Sequence, residues 1–188
     1  MSQSTDNAFV ALLRGINVSG QKLMPMAALR DHFTSAGYRR VQTNIQSGNV
    51  YFETRVRDAR KLEADLSQLI RTAYGWEVPV MVRSLAELAE IVARSPFAAP
   101  DRSCEQVYVG FLRGVPPVAA AADLMARSMA TDRFVVDGTT LYVWQRKDVP
   151  KNLLDKLNLE RVLQTDVTLR NWATTVRITE WPGPKATA

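Results

Sequence analysis

Twice along this chain a short apolar strand is followed by a helix, a hairpin and a second helix. Phe9 to Arg14 is the first apolar run. Met26, Leu29, Phe33 and Ala36 then recur at helical spacing, with Pro25 near the first turn and Gly37 as the natural stop. Val41, Thr43 and Ile45 alternate with Gln42, Asn44 and Gln46, the period of a half-buried strand. Ser47-Gly48-Asn49 is a turn signal, and Val50 to Glu53 is the returning strand. Leu62, Leu66, Leu69, Ile70 and Ala73 form one face of an amphipathic helix that Gly75 ends. Trp76 to Val82 reads as a further strand. Its Pro79 cannot donate to a ladder, which assigns that strand to a sheet edge. The order β-α-β-β-α-β is that of the ferredoxin-like plait.

The second half repeats the order. Ser84 and Glu87 form a capping box that opens a linking helix, and Pro96 and Pro100 bracket a loop. Gln106 to Leu112 is a strand, and Pro116-Pro117 starts an Ala-rich helix reaching Ser128. Arg133 to Val136 and Thr140 to Trp144 form a hairpin across Asp137-Gly138. A helix from Pro150 carries Leu153, Leu154, Leu157, Val162 and Leu163, and Thr165 to Leu169 is a short extension. Asn171 to Trp181 fits either a strand or a helix. The pattern predicts an α+β chain of two ferredoxin-like (alpha-beta plait) subdomains in tandem, residues 1–83 and 84–188. Each has an antiparallel sheet with helices packed on one face. The repeat is read as architectural, with little similarity between the halves at the level of residues.

The 188 residues suffice for one or two cores. No apolar run is long enough to span a bilayer, and the polar N-terminus lacks the basic start of a secretory signal. The single Cys104 forms no internal disulfide, so a cytoplasmic location without membrane attachment is expected. The net charge of +5 is uneven. Residues 1–83 hold 11 basic and 7 acidic side chains, net +4, which reads as a solvated surface more readily than as a site for an anionic small molecule as partner.

Three segments carry candidate chemistry. In Arg14-Gly15-Ile16-Asn17, followed by Gly20 and Lys22, close backbone approach and two cations suit an anion. The same residues also read as a glycine-shaped loop with Arg14 in a salt bridge. Gln46-Ser47-Gly48-Asn49 extends an amide-rich strand face and suits a polar ligand, or is simply a hairpin turn. Arg170-Asn171-Trp172 offers a phosphate partner and a stacking indole, or else a core Trp with an Arg on its rim. Neither a P-loop nor a dinucleotide fingerprint is present. The lone His32 excludes a multi-histidine metal site, and Ser47 lies outside any G-x-S-x-G context. No metal or cofactor is expected. The basic run Arg55 to Lys61 reads as a solvated helix start more readily than as a nucleic-acid patch. The strand Gly48 to Glu53 departs from the aromatic pattern of the RNA-recognition plait, with Tyr51 its one candidate platform residue.

Four motifs together resemble a bacterial domain-of-unknown-function family, the one numbered 1697. They are Ala11-Leu12-Leu13-Arg14-Gly15-Ile16-Asn17, Ile45-Gln46-Ser47-Gly48-Asn49-Val50, Val107-Tyr108-Val109-Gly110-Phe111, and Arg170-Asn171-Trp172 with Thr174. The resemblance covers about residues 7–180. It implies a two-part α+β protein with plait-like subdomains and a helix from Asn171 onward, and it carries no established activity. Two departures stand out: Pro150-Lys151-Asn152-Leu153 replaces the family's Ser-Lys-Leu, and Ser19-Gly20 its Gly-Gly. The leading expectation is a non-catalytic binding module for a polar, phosphate-bearing small ligand. It would use Arg14, Gly15, Asn17, Lys22, Gln46, Ser47, Gly48, Asn49, Arg170, Asn171 and Trp172. The alternatives are an enzyme using Ser47 or Lys22 on a nucleotide-like substrate, and a weak nucleic-acid binder.

Overall fold

The computed structural model describes residues 6–17, 22–43, 48–97, 99–101, 103–149 and 153–182. They form two compact units. The first comprises the described residues up to Ala89 together with those from Ile178 onward, and the second is Glu90–Arg177. In the first, β1 (Asn7–Leu13), α1 (Met26–Ser35), β2 (Arg39–Thr43), β3 (Asn49–Thr54), α2 (Ala59–Tyr74) and β4 (Val80–Ser84) build an antiparallel sheet of order β2-β3-β1-β4. After α3 (Leu85–Ala93), the second unit holds β5 (Glu105–Leu112), α4 (Val118–Ala126), β6 (Asp132–Asp137) and β7 (Thr140–Arg146). A 3-10 turn (Leu154–Lys156), α5 (Leu159–Leu163), β8 (Val167–Asn171) and α6 (Trp172–Thr179) follow, and the sheet order is β6-β7-β5-β8. Both sheets have the connectivity of the ferredoxin-like plait.

In the first unit Phe9, Ala11, Leu13, Val50, Phe52, Val80 and Val82 pack against Leu29 and Phe33 of α1 and Leu62, Leu66 and Ile70 of α2. The alternate residues Val10, Leu12, Tyr51 and Met81 are buried as well. Both faces of β1 are thus closed to water, which is why β1 reads as a continuous apolar run instead of an alternating one. In the second unit Leu112, Phe134, Leu141, Val143 and Val167 meet Leu124, Leu159 and Leu163.

Local signals fix most helix ends. Asp58 Oδ1 accepts from the Arg60 and Lys61 amides at 2.9 and 3.2 Å, and Gly75 closes α2 in the left-handed region at φ 73°. Ser84 Oγ accepts from Glu87 N at 3.1 Å while Glu87 Oε2 accepts from Ser84 N at 2.7 Å, the expected capping box. Three expectations need correction. The strand predicted from Trp76 begins only at Val80, with Pro79 just ahead of it, although it is an edge strand as read. The long helix expected from Pro150 is a 3-10 turn and a separate α5, because the Asn158 side chain caps Arg161 N at 2.9 Å and restarts the helix. The segment after Val167 is strand and then helix. Asn171 ends β8, and its Oδ1 caps α6 by accepting from Thr174 N at 2.8 Å.

One segment of the two halves does match residue by residue. Phe9-Val10-Ala11-Leu12-Leu13-Arg14-Gly15 corresponds to Tyr108-Val109-Gly110-Phe111-Leu112-Arg113-Gly114. Val10 pairs with Tyr51 as Val109 pairs with Tyr142, and Leu12 with Asn49 as Phe111 with Thr140. The closing bonds repeat as well. Leu13 N donates to Gly48 O at 2.7 Å and Leu112 N to Thr139 O at 2.9 Å. Arg14 N donates to Pro79 O, and Arg113 N to Asp166 O, both at 3.0 Å. At the end of each fourth strand an arginine Nη1 donates to the carbonyl before it, Arg83 to Val82 at 2.8 Å and Arg170 to Leu169 at 2.9 Å. A capping residue, Ser84 or Asn171, follows each of these arginines. The similarity hides in the sequence because apolar and small residues interchange at equivalent core positions.

The edge strand β4 is protected by a buried pair. Glu63 Oε1 accepts from Val82 N at 3.0 Å and lies 3.6 Å from Arg83 Nη1. Both side chains are almost fully buried, so removing the carboxylate strands a desolvated guanidinium. Glu63→Ala is expected to lower stability by about 3–5 kcal/mol in denaturant unfolding. At Gly110, the counterpart of Ala11, an added Cβ would come within 3.0 Å of Leu141 Cβ and 3.2 Å of Val167 Cγ2. Gly110→Ala is expected to cost about 1–3 kcal/mol by overpacking in the same assay.

Candidate functional site

The structure brings the first two predicted segments to one end of the first sheet. Arg14 leaves the C-terminal end of β1, and Gly48 and Asn49 enter β3 beside it, since Leu12 pairs with Asn49. Most of these residues hold the loop. Asn17, at φ 54°, accepts from Met24 N at 2.7 Å and donates its Nδ2 to Met24 O at 3.1 Å. Lys22 Nζ donates to Glu77 O at 2.9 Å. Gly48 has φ 68°, and a Cβ there would meet Leu13 O at 3.0 Å and Ile16 Cγ1 at 3.1 Å, so glycine is required. Asn49 is fully buried. Gly15 is exposed with open space at its Cβ position, and Arg14 is half-buried. Gln46 and Ser47 lie outside the described residues.

The second unit repeats the Arg-Gly pair and the backbone bonds before it, with Arg113 paired to Asp166 at 3.4 Å and Gly114 N donating to Thr165 Oγ1 at 3.1 Å. The turn is therefore in the first place a device of the fold. The position of Asp166 is held by Pro79 in the first unit, so the same ion pair cannot form at Arg14. At the opposite end of the sheet, where Asn7 pairs with Thr54, several basic residues are paired within the unit. Arg39 and Arg55 meet Asp6, Arg40 lies 3.3 Å from Glu53, and Lys61 lies 2.9 Å from Asp65.

The third segment splits. Arg170 turns to its own strand, donating to Thr168 Oγ1 at 2.8 Å and Leu169 O at 2.9 Å. Desolvation lowers its pKa to about 10. Asn171 and Trp172, in contrast, line a cleft of about 190 Å³ with Pro100, Glu105, Gln106 and Lys147. Strand register assembles it. Glu105 and Gln106 open β5 opposite Arg146 and Gln145, which brings Lys147 to the same corner, while Asn171 pairs with Tyr108. The cleft thus joins an indole, an amide, an ammonium and a carboxylate. The sequence reading missed Glu105, Gln106 and Lys147. Only the pairing of β5 with β7 unites positions so far apart, and the one local signal was their closeness to the Val107–Phe111 motif.

Among the described residues no group of three His, Cys, Asp or Glu side chains is placed to hold a metal ion. No helix among them is long and apolar enough to cross a membrane.

The fold and cleft define a tandem-plait α+β protein. The chain belongs to the family described as "Protein of unknown function (DUF1697)", whose model matches residues 7–142. Its structure is similar to that of the conserved bacterial protein SP0830 from Streptococcus pneumoniae. The TM-score is 0.76 at 20% identity, over 94% of this chain and 98% of that one. At that identity the likeness establishes the fold. No curated protein matches this chain.

Tyr51 is not a stacking platform. It is 1% exposed, and its hydroxyl donates to Glu53 Oε1 at 2.5 Å. Burial pushes its pKa well above the usual range, and the bond to Glu53 adds to the shift. The other four tyrosines, Tyr38, Tyr74, Tyr108 and Tyr142, are also raised from 10.0, each first by desolvation. The folded state therefore favours the neutral phenols. Stability from this source is complete below the unfolded value near 10.0 and is lost as pH rises through the folded pKa values. Ultraviolet titration is expected to show less phenolate at pH 10 in native than in unfolded protein. Above that, ionisation should coincide with unfolding followed by circular dichroism.

Proposed function

We propose that this protein binds a polar, phosphate-bearing small molecule without transforming it, in the cleft of the second unit. The observation that supports this most is the convergence of Trp172, Asn171, Gln106 and Lys147 on one cavity. A half-buried indole supplies a stacking face, Lys147 supplies a cation for a phosphate oxygen, and the two amides orient polar groups. Among the described residues that line the cleft there is no His or Cys to activate a nucleophile, which supports binding over catalysis. The lone Cys104 supports a cytoplasmic setting.

A second seat for the anion is the sheet end where Arg14, Gly15, Gly48 and Asn49 meet, supported by their shared register. The two seats are separable by titration calorimetry with inorganic phosphate and simple phosphate esters. Lys147→Ala is expected to weaken phosphate-ester binding about ten-fold or more, and Trp172→Ala to weaken esters that carry a ring, while Arg14→Ala leaves both unchanged. Loss of binding in Arg14→Ala alone would move the seat to the first unit. Turnover of any ester would overturn the non-catalytic reading, and absence of binding would overturn the function.

A further inference from the structure

A second cavity, of about 310 Å³, shares Glu105 with the first and is otherwise lined by Pro96, Phe97, Arg133 and Trp144. Trp144 lies one residue from Val143, which packs against the helices α4 and α5. Successive strand side chains alternate, so Trp144 faces away from those helices, on the face that Glu105 and Arg133 share by register. The Arg133 guanidinium sits 5.2 Å from the indole centroid and orients the ring from the neighbouring strand. Phe97, from the segment after α3, supplies a second aromatic wall. The result is a slot with aromatic walls, next to a cleft that holds a cation.

The shared wall adds specificity. Glu105 Oε2 accepts from Asp101 N at 3.1 Å, and among the described residues Oε1 has no hydrogen-bond donor. A carboxylate between two cavities is a poor neighbour for bare phosphate. It is a good acceptor for ring N–H groups or sugar hydroxyls. Arg133 lines one of these cavities and Lys147 the other, and two positive charges suit a dianionic ligand that also carries donors.

We infer that the ligand is a mononucleotide. Its base lies in the Phe97–Trp144 slot, its sugar or base edge donates to Glu105, and its phosphate meets Lys147 beside Trp172. The inference rests on the binding function proposed above and adds the ring, the sugar and their seat.

The test is calorimetry with inorganic phosphate, nucleosides and nucleoside monophosphates on the full chain and on Trp144→Ala, Trp144→Phe, Glu105→Gln and Lys147→Ala. Nucleoside monophosphates are expected to bind at least ten-fold tighter than either inorganic phosphate or nucleosides. Trp144→Ala should weaken them about five- to hundred-fold and leave inorganic phosphate unchanged, while Trp144→Phe restores most of the affinity. Lys147→Ala should weaken phosphate and monophosphates alike. Unchanged phosphate binding in Trp144→Ala also certifies that the variant is folded. Monophosphates no tighter than phosphate, or indifferent to Trp144, would overturn the inference and leave the phosphate site standing. Nucleosides binding as well as their monophosphates would instead overturn the phosphate reading and keep the slot. Tighter binding of single-stranded oligonucleotides, falling steeply with salt, would overturn the small ligand in favour of nucleic acid.

Discussion

In each plait the first strand is held between two partners, over Phe9–Leu12 in β1 and Tyr108–Phe111 in β5, and everything else hangs on that. β1 lies between β3 and β4, and β5 between β7 and β8. The pairing ends with the same two bonds in each half: one amide to the carbonyl before the third strand, the next to the carbonyl before the fourth. These bonds fix where the chain may leave the sheet, and so where Arg14-Gly15 and Arg113-Gly114 turn. The positive φ of Gly15 (65°) and Gly48 (68°) follows from that geometry. Leu13 and Leu112 stay in their cores because register holds them there.

The duplication changes the weight of the first motif. A feature present in both halves, with the same bonds, is explained first by folding. Arg113 has Asp166; Arg14 has a proline at the equivalent place. What distinguishes the second unit is a corner where the open ends of β5 and β7 meet the start of α6. There Trp172, Lys147 and Glu105 come together. In the first unit, in contrast, Arg39, Arg40, Arg55 and Lys61 are engaged with Asp6, Glu53 and Asp65.

Much of the fold was legible because its signals are local. The alternation in β2, the apolar face of α2, the Ser84–Glu87 box and the Gly75 stop each act within a few residues. Errors arose where two local signals compete. Asn158 caps a new turn inside a segment whose leucines keep helical spacing, so α5 is short. Asn171 serves as the last strand residue and as a helix cap at once, so periodicity alone favoured neither. The site was half legible. Asn171 and Trp172 stood out as an indole beside an amide. Glu105, Gln106, Arg133 and Lys147 did not, since charged residues at strand ends are ordinary.

The sequence by itself determined the class: two strand–helix–hairpin–helix runs, an edge strand closing the first, and glycines where the chain must turn. Those depend on period and on backbone sterics, which neighbouring residues settle. Only the tertiary structure decided which side chains share a cavity. It turned Arg170 back onto Thr168 and Leu169, and set Lys147 beside Trp172 through the pairing of β5 with β7 and β8. It also showed that β1 and β5 end in equivalent bonds, because that equivalence lies in hydrogen-bond partners far apart in the chain.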